Sequence, residues 1–247
     1  MLSKAKIKYI RSLGQKKNRQ QERVFVAEGP KVVGELLKSR PAKLIVHTSV
    51  WKKTDFAADE HLEVTEEELR KTSFLQHPQE VLAIFPMFEG ATPALAVNDL
   101  SLALDGVQDP GNLGTIIRIA DWFGISQIYC STDTADVYNP KVIQATMGSI
   151  ARVHVSYTDL KELIDSLPED FPVYGTFLGG NNIYHEALSE KGLVVMGNEG
   201  NGISPEIREK INRKLLIPNF PEGRETAESL NVAIATAITC SEFRRNK

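Results

Sequence analysis

The chain has 247 residues, 42% hydrophobic and 7% aromatic, which suits one large domain or two small ones with an aliphatic core. Its two cysteines, Cys130 and Cys240, argue against a disulfide framework or a thiolate metal site and fit a reducing, cytoplasmic compartment. The net charge of −3 is unevenly spread: residues 1–23 sum to +7, which leaves −10 on the rest. The opening MLSKAKIKYIRSLG lacks the apolar core of a signal peptide, and no apolar run is long enough to cross a membrane. A basic arm on an acidic body is a footprint of phosphate-backbone binding. Lys4, Lys6, Lys8, Arg11, Lys16, Lys17 and Arg19 are the candidate contacts, although a solvated helix face has the same composition.

Ile7, Ile10 and Leu13 keep helical spacing and predict an amphipathic helix ending near Gly14. Val24 to Ala27 reads as a strand, and Pro30 can open a helix through Val32, Val33, Leu36 and Leu37. Strands follow at residues 43–47 and 62–65, a short helix at 66–72 and a fourth strand at 81–85. This is a small α/β unit covering residues 1–85. Residues 86–98 lose periodicity and carry two prolines and a glycine, which marks a linker.

From residue 99 to 247 strands and helices alternate. Strands are expected at 102–104, 127–130, 153–155, 172–178 and 193–196, and helices from about Asn112, from Pro140 to Ile150 and from Leu160 to Leu167. An apolar run, Leu215-Leu216-Ile217, stops at Pro218, and helical spacing resumes at Ser229, a natural N-cap. Such alternation implies a mainly parallel sheet with helices on both faces and a site at the strand C-terminal ends.

Three polar loops reach that edge. The first, Asp105 to Gly114, is followed by Arg118, for which a surface ion pair with Asp121 is the plain alternative. The second is Gly197-Asn198-Glu199-Gly200-Asn201-Gly202-Ile203-Ser204, whose glycines let main-chain N–H groups approach a ligand. It is not a P-loop, and its glycine spacing does not fit the dinucleotide pattern, so a nicotinamide oxidoreductase is disfavoured. The third holds Ile217, Ser229, Leu230 and Asn231.

Together, DGVQDPGNLGTIIRIAD (105–121), VVMGNEGNGIS (194–204) and LLIPNF…ESLNVAIATAI (215–238) resemble the three motifs of the SpoU (TrmH-type) family of RNA ribose 2′-O-methyltransferases, in the SPOUT superfamily. The resemblance covers about residues 99–245 and implies an α/β parallel-sheet catalytic domain with a C-terminal trefoil knot. It also implies S-adenosylmethionine as cofactor, a homodimer and no metal. By motif matching, Arg118, Asn112, Glu199, Ser229 and Asn231 take the catalytic and RNA-contacting positions. Gly197, Asn198, Gly202, Ile217, Ser229 and Leu230 take cofactor positions, with Thr176, Phe177 and Leu178 as further contacts. The loop between Pro218 and Ser229 is longer than in many relatives; Arg224 in it is a solvated charge or an RNA contact.

Residues 1–85, with the basic opening helix and FVAEGPKVVGELL, resemble the substrate-binding domain that many of these enzymes carry, similar to a ribosomal-protein fold. This favours ribosomal over transfer RNA as the expected partner. A non-catalytic RNA-binding or ribosome-assembly protein of the same fold is the competing class. It is disfavoured because every polar motif position is present.

Overall fold

The computed structural model describes residues 2–52, 57–88, 95, 97–221, 224, 227 and 229–245. The chain forms two compact units, Met1–Glu89 with Asp136–Ala151, and Gly90–Ala135 with Arg152–Lys247. Most of the expected linker, residues 89–94 and 96, lies outside the described residues.

In the first unit, α1 (Lys4–Ser12) is capped by the Ser3 side chain, and a second helix, α2 (Lys16–Glu22), follows that the sequence pattern did not reveal. Then come β1 (Val24–Glu28), α3 (Pro30–Leu37), β2 (Ala42–His47), β3 (Ala58–Glu63), α4 (Glu66–Thr72) and β4 (Val81–Pro86). Pro30 sits in the first turn of α3 as expected, and a capping box between Thr65 and Glu68 opens α4. The sheet order is β1-β4-β2-β3, parallel only between β2 and β3. β3 lies four residues earlier than its apolar pattern suggests, because ADEHLE is a polar, largely exposed edge strand. Ile10, Leu13, Val24, Val26, Leu44, Val46, Leu69, Leu82 and Ile84 share one buried cluster. The apolar stripe of α1 is thus spent on the core.

The second unit contains β5 (Leu100–Leu104), α5 (Pro110–Trp122), β6 (Gln127–Cys130), β7 (His154–Tyr157), α7 (Leu160–Asp165) and β8 (Val173–Asn182). It continues with β9 (Gly192–Met196), α8 (Pro205–Arg208), β10 (Arg213–Leu216) and α9 (Val232–Arg244). All its strand pairs are parallel, in the order β10-β8-β9-β5-β6-β7. Ala103, Tyr129, Val173, Leu193 and Val195 pack against Leu160 and Ile164 of α7 and Ile207 of α8. α9 packs on α5, and its far end is held where Phe243 meets Tyr174 edge-on at 4.8 Å. Burial pushes the Cys240 thiol on α9 up to about 12, and Cys130 is raised for the same reason, so both are inert packing groups.

From β5 the chain winds one way to β6 and β7, and then crosses to the other side of β5 for β8, β9 and β10, with β9 placed next to β5. The order reverses between β5 and β9, which is where an open parallel sheet forms its ligand crevice. β8 is longer than its pattern predicts. Gly179-Gly180-Asn181-Asn182 read as a loop, but Asn181 and Asn182 pair with Leu215 and Leu216 of β10 after a register break. Gly180 is required there, since a Cβ would lie 2.5 Å from the Leu215 carbonyl carbon.

One segment of the sequence's second half packs in the first unit. Asp136–Ala151, with α6 (Pro140–Ala145), covers the β1 edge that would otherwise expose unpaired main chain. Tyr138 stacks on Phe88 and lies tilted against Phe25, and its hydroxyl accepts from the Phe88 N–H at 3.0 Å. Asp136 pairs at 2.5 Å with Arg19, which is 2% exposed. Arg19 also donates to the Leu13 and Gly14 carbonyls at 2.8 Å. Arg19, expected on an RNA-facing surface, is therefore an internal clamp: a guanidinium this buried needs a carboxylate and carbonyls around it. Asp136→Ala, which strands that charge, should cost about 3 kcal/mol in urea unfolding, and Arg19→Met clearly less. Equal losses would show that the charge pair is not what the clamp provides.

Candidate functional site at the sheet switch point

The first and second polar loops leave the C-terminal ends of the adjacent strands β5 and β9, and the Asp105 N–H donates to the Met196 carbonyl at 2.9 Å. The second loop closes on itself. Asn198 and Gly202 exchange main-chain bonds of 2.9 and 3.0 Å, and the Asn198 Oδ1 accepts from the Gly200 and Asn201 N–H groups. Its Nδ2 donates to the Gly106 carbonyl of the first loop at 2.7 Å. A Cβ on Gly197 would stand 2.3 Å from the main chain of Gly202 and Ile203, so only glycine allows this closure. The Ser204 N–H donates to Asp105 Oδ2 at 2.7 Å, adding a second tie between the loops.

Asp109, not Asn112, caps α5: its carboxylate accepts from the Asn112 N–H at 2.8 Å. This frees the Asn112 side chain to donate from Nδ2 to Glu199 Oε1 at 3.0 Å. The Gln108 and Asp109 N–H groups reach the same carboxylate at the long distance of 3.5 Å. Asn112 Oδ1 in turn accepts from Asn231 Nδ2 at 3.0 Å. Asn231 is the N-cap of α9, its Oδ1 accepting from the Ala233 and Ile234 N–H groups at 3.0 and 3.3 Å. The expected cap, Ser229, lies two residues earlier, exposed and outside the helix.

One hydrogen-bonded chain, Glu199–Asn112–Asn231, therefore joins all three loops. Arg118 is not part of it. It lies exposed on α5, and among the described residues no hydrogen bond or ion pair holds it. The plain alternative of a pair with Asp121 is not realised, because Asp121 is held bidentately by Arg152, the shortest contact being 2.7 Å. Thr176, Phe177 and Leu178 fall in the β8 stretch that β10 skips. Phe177 carries the Arg208 guanidinium and the Lys214 ammonium over its ring at 5.4 and 5.8 Å. Leu178 is 79% exposed and Leu230 51%, which leaves two large apolar side chains uncovered, one within the skipped stretch of β8 and one just before α9. Ile217 follows β10 directly. The Asp109 cap and the Asp105 tie were missed as functional parts; a capping carboxylate before Pro110 was the signal available for the first.

Of the basic arm, Lys4, Lys8, Lys16 and Lys17 are exposed. Lys6 is tied to Glu60 at 2.6 Å, and Arg11 bonds the Ser73 carbonyl and lies 4.9 Å over the Phe74 ring. Among the described residues, no group of three or more His, Cys, Asp or Glu side chains is arranged to hold a metal, and no helix is long and apolar enough to cross a membrane.

An all-parallel α/β unit with a glycine-rich loop at its switch point, preceded by a basic α/β unit, defines the ligand-binding class of open α/β proteins. The family model of the SpoU rRNA methylases matches residues 99–241, and that of the MRM3-like substrate binding domain matches residues 4–83. A putative RNA methyltransferase of the TrmH family from Porphyromonas gingivalis is 43% identical over the full length of both chains, with a TM-score of 0.87. An AdoMet-bound rRNA methyltransferase from Sinorhizobium meliloti is 30% identical, with a TM-score of 0.83 over 100% of this chain and 97% of that one. The 23S rRNA (guanosine(2553)-2′-O)-methyltransferase RlmP of Bacillus subtilis is 33% identical over 97% of this chain and 96% of its own. The chain belongs to the SpoU rRNA methylase family.

Asn231 combines two tasks that substitutions can separate. Asn231→Ala removes the cap and should cost about 1–2 kcal/mol of stability. Asn231→Asp keeps a capping oxygen and should unfold within about 0.5 kcal/mol of the parent, while losing the donor to Asn112. A large stability loss in the Asp variant would mean that the bond to Asn112, rather than the cap, holds α9.

Proposed function

We propose that this chain transfers the methyl group of S-adenosylmethionine to a ribose 2′-hydroxyl of ribosomal RNA. The observation that carries the reading is the joining of three family motifs by Glu199–Asn112–Asn231, with Arg118 exposed further along the helix that carries Asn112. Full-length likeness to rRNA methyltransferases supports it.

The residues fit the cofactor. Leu178 and Leu230 offer uncovered apolar surface to an adenosine, Gly202 leaves the loop's main chain open, with nothing within 4 Å of where its Cβ would stand, and Gly197 contributes through the loop closure that it alone permits. Thr176, Phe177, Asn198, Ile217 and Ser229 complete the proposed binding set. When bound, the cofactor supplies a methyl group on a positively charged sulfur, already a good electrophile. The chain's part is to align the ribose oxygen and to stabilise it as it loses its proton. A guanidinium keeps its charge, its ordinary pKa lying above ~12. Arg118 thus acts as a cation that binds the neighbouring phosphate and stabilises the developing alkoxide, not as a neutral base. The proton leaves the 2′-oxygen for water at this open rim. Asn112, Glu199 and Asn231 hold the geometry, and Ser229 contacts the target sugar.

Exposed Lys4, Lys8, Lys16 and Lys17 are the proposed phosphate contacts of the basic arm. Trimming residues 1–23 would also remove the buried Ile10 and Leu13, so single substitutions are the proper probe. We further propose the trefoil knot that the family resemblance implies, supported by β10 crossing tightly at Gly180 and by α9 returning to pack on α5. A homodimer is proposed from the uncovered Trp122 (84%), Phe220 (90%) and Ile234 (53%). The cytoplasm, where ribosomes are made, is the proposed location.

With methyl-labelled S-adenosylmethionine and unmethylated 23S rRNA transcript, label should appear on a 2′-O-methyl nucleoside. Arg118→Ala should lower kcat about 100-fold without changing cofactor affinity. Full activity in Arg118→Lys would refute the need for a planar fork, and label on a transfer-RNA transcript alone would reassign the substrate. Removing the four exposed lysines should weaken RNA binding and flatten its salt dependence. In a separate measurement, sedimentation equilibrium should return twice the 27.4 kDa chain mass; a monomer mass at micromolar concentration would refute the dimer.

A further inference from the structure

The first unit contains a cavity of about 270 Å³ that the proposed chemistry does not use. It is lined by Val26 and Glu28 of β1, Phe74 and Leu75 after α4, and Pro140, Lys141, Gln144 and Ala145 of α6. Its volume lies just below the roughly 300 Å³ at which pockets for small molecules begin, which suits a single ring system.

The walls and the polar groups have different chemistry. Val26, Leu75, Pro140 and Ala145 offer apolar surface. Phe74 is half-buried and fixed: the Arg11 guanidinium lies 4.9 Å from its ring centre, and a Cβ on Gly14 would stand 2.8 Å from its ring. Glu28 is 6% exposed, and its carboxylate accepts from the Ser73 hydroxyl and, at 2.7 Å, from the Phe74 N–H. Each oxygen keeps a further acceptor position. Gln144 is half-buried and Lys141 is exposed at the rim. An aromatic ring beside apolar walls, a buried acceptor and a lysine match the three parts of an unpaired nucleotide: the flat base, its N–H edge and its phosphate.

We propose that this cavity takes one unpaired nucleobase of the RNA substrate, away from the methylated ribose, and favours a base with N–H donors on its edge, guanine above all. The proposal rests on the RNA-substrate reading above. A carboxylate rejects the flanking carbonyl oxygens of uracil while accepting the N–H groups of guanine. The cavity also gives Asp136–Ala151 a use beyond covering the β1 edge, since α6 supplies half of the wall.

Filter binding with unmethylated 23S rRNA transcript and the full chain tests this. Ala145→Phe, which fills the cavity, should raise the RNA Kd and KM about tenfold, the loss of one stacked base. Kcat at saturating RNA, S-adenosylmethionine affinity and Tm should be unchanged. Should Ala145→Phe fail to fold, Gln144→Ala and Glu28→Gln give the second reading. Transcript substituted with 6-thioguanosine should photo-crosslink to the peptide carrying Phe74 and Leu75, and Glu28→Gln should weaken that crosslink. A parent chain that methylates the transcript, with unchanged Kd in all three variants or no crosslink near Phe74, overturns the pocket alone. A parent that binds S-adenosylmethionine but no RNA overturns the substrate reading, and the pocket with it.

Discussion

A carboxylate can only accept, and that restriction sets the order of the proposed active site. Glu199 takes the amide nitrogen of Asn112, so the Asn112 oxygen must face the other way, toward Asn231. Asn231 can meet that oxygen only with its own amide nitrogen, which turns its oxygen back onto the first N–H groups of α9. The orientation of two amides and the starting point of a helix follow from one negative charge. Two loops that lie 87 and 119 residues beyond the first in sequence are thereby held in register with it. Reversing any amide would set oxygen against oxygen.

That chain of bonds works because the backbone beneath it has no slack. Gly197 lets the second loop fold back until its main chain is in direct contact with itself, and Asn198 then spends three of its side-chain bonds on sealing the turn and on the first loop. The carboxylate of Glu199 is the next group along, so its position is inherited from a closure that admits no side chain. Asp109 contributes in the same way from the other loop. By capping α5 it releases Asn112 from the role that its residue type would otherwise take.

Much of this was legible in the sequence, and the gaps have physical causes. The two glycine- and asparagine-rich loops and the strand–helix alternation were readable because apolar periodicity and turn residues are local signals. Caps were harder. Ser229 and Asn231 are equally good N-cap types, and only the long-range bond from Asn231 Nδ2 to Asn112, invisible locally, ties the second of them to the cap position. β8 ran past Gly179 and Gly180 because a neighbouring strand, distant in sequence, crosses there, and glycine served a close approach instead of a turn. Arg19 looked like one basic residue among eight. Its partner, Asp136, is 117 positions away, and nothing within the arm marks it as internal. The assignment of Asp136–Ala151 to the first unit was invisible for the same reason.

The proposed chemistry explains why a site can be built of such modest parts. A methyl group on a sulfonium needs no metal and no strong base from the protein; it needs a nucleophile held in line and a cation near the oxygen that loses a proton. Amides and glycines are suited to that task, since they fix distance and direction without adding charge of their own. Arg118, which no hydrogen bond or ion pair among the described residues holds, is proposed to meet the substrate with its donors uncommitted. Arg152 contributes by occupying Asp121, which would otherwise be the natural partner for Arg118 on the same helix. On the proposed reading, the Arg152–Asp121 pair leaves the Arg118 charge available to substrate, and the hydrogen-bonded amides keep the loops in place for it.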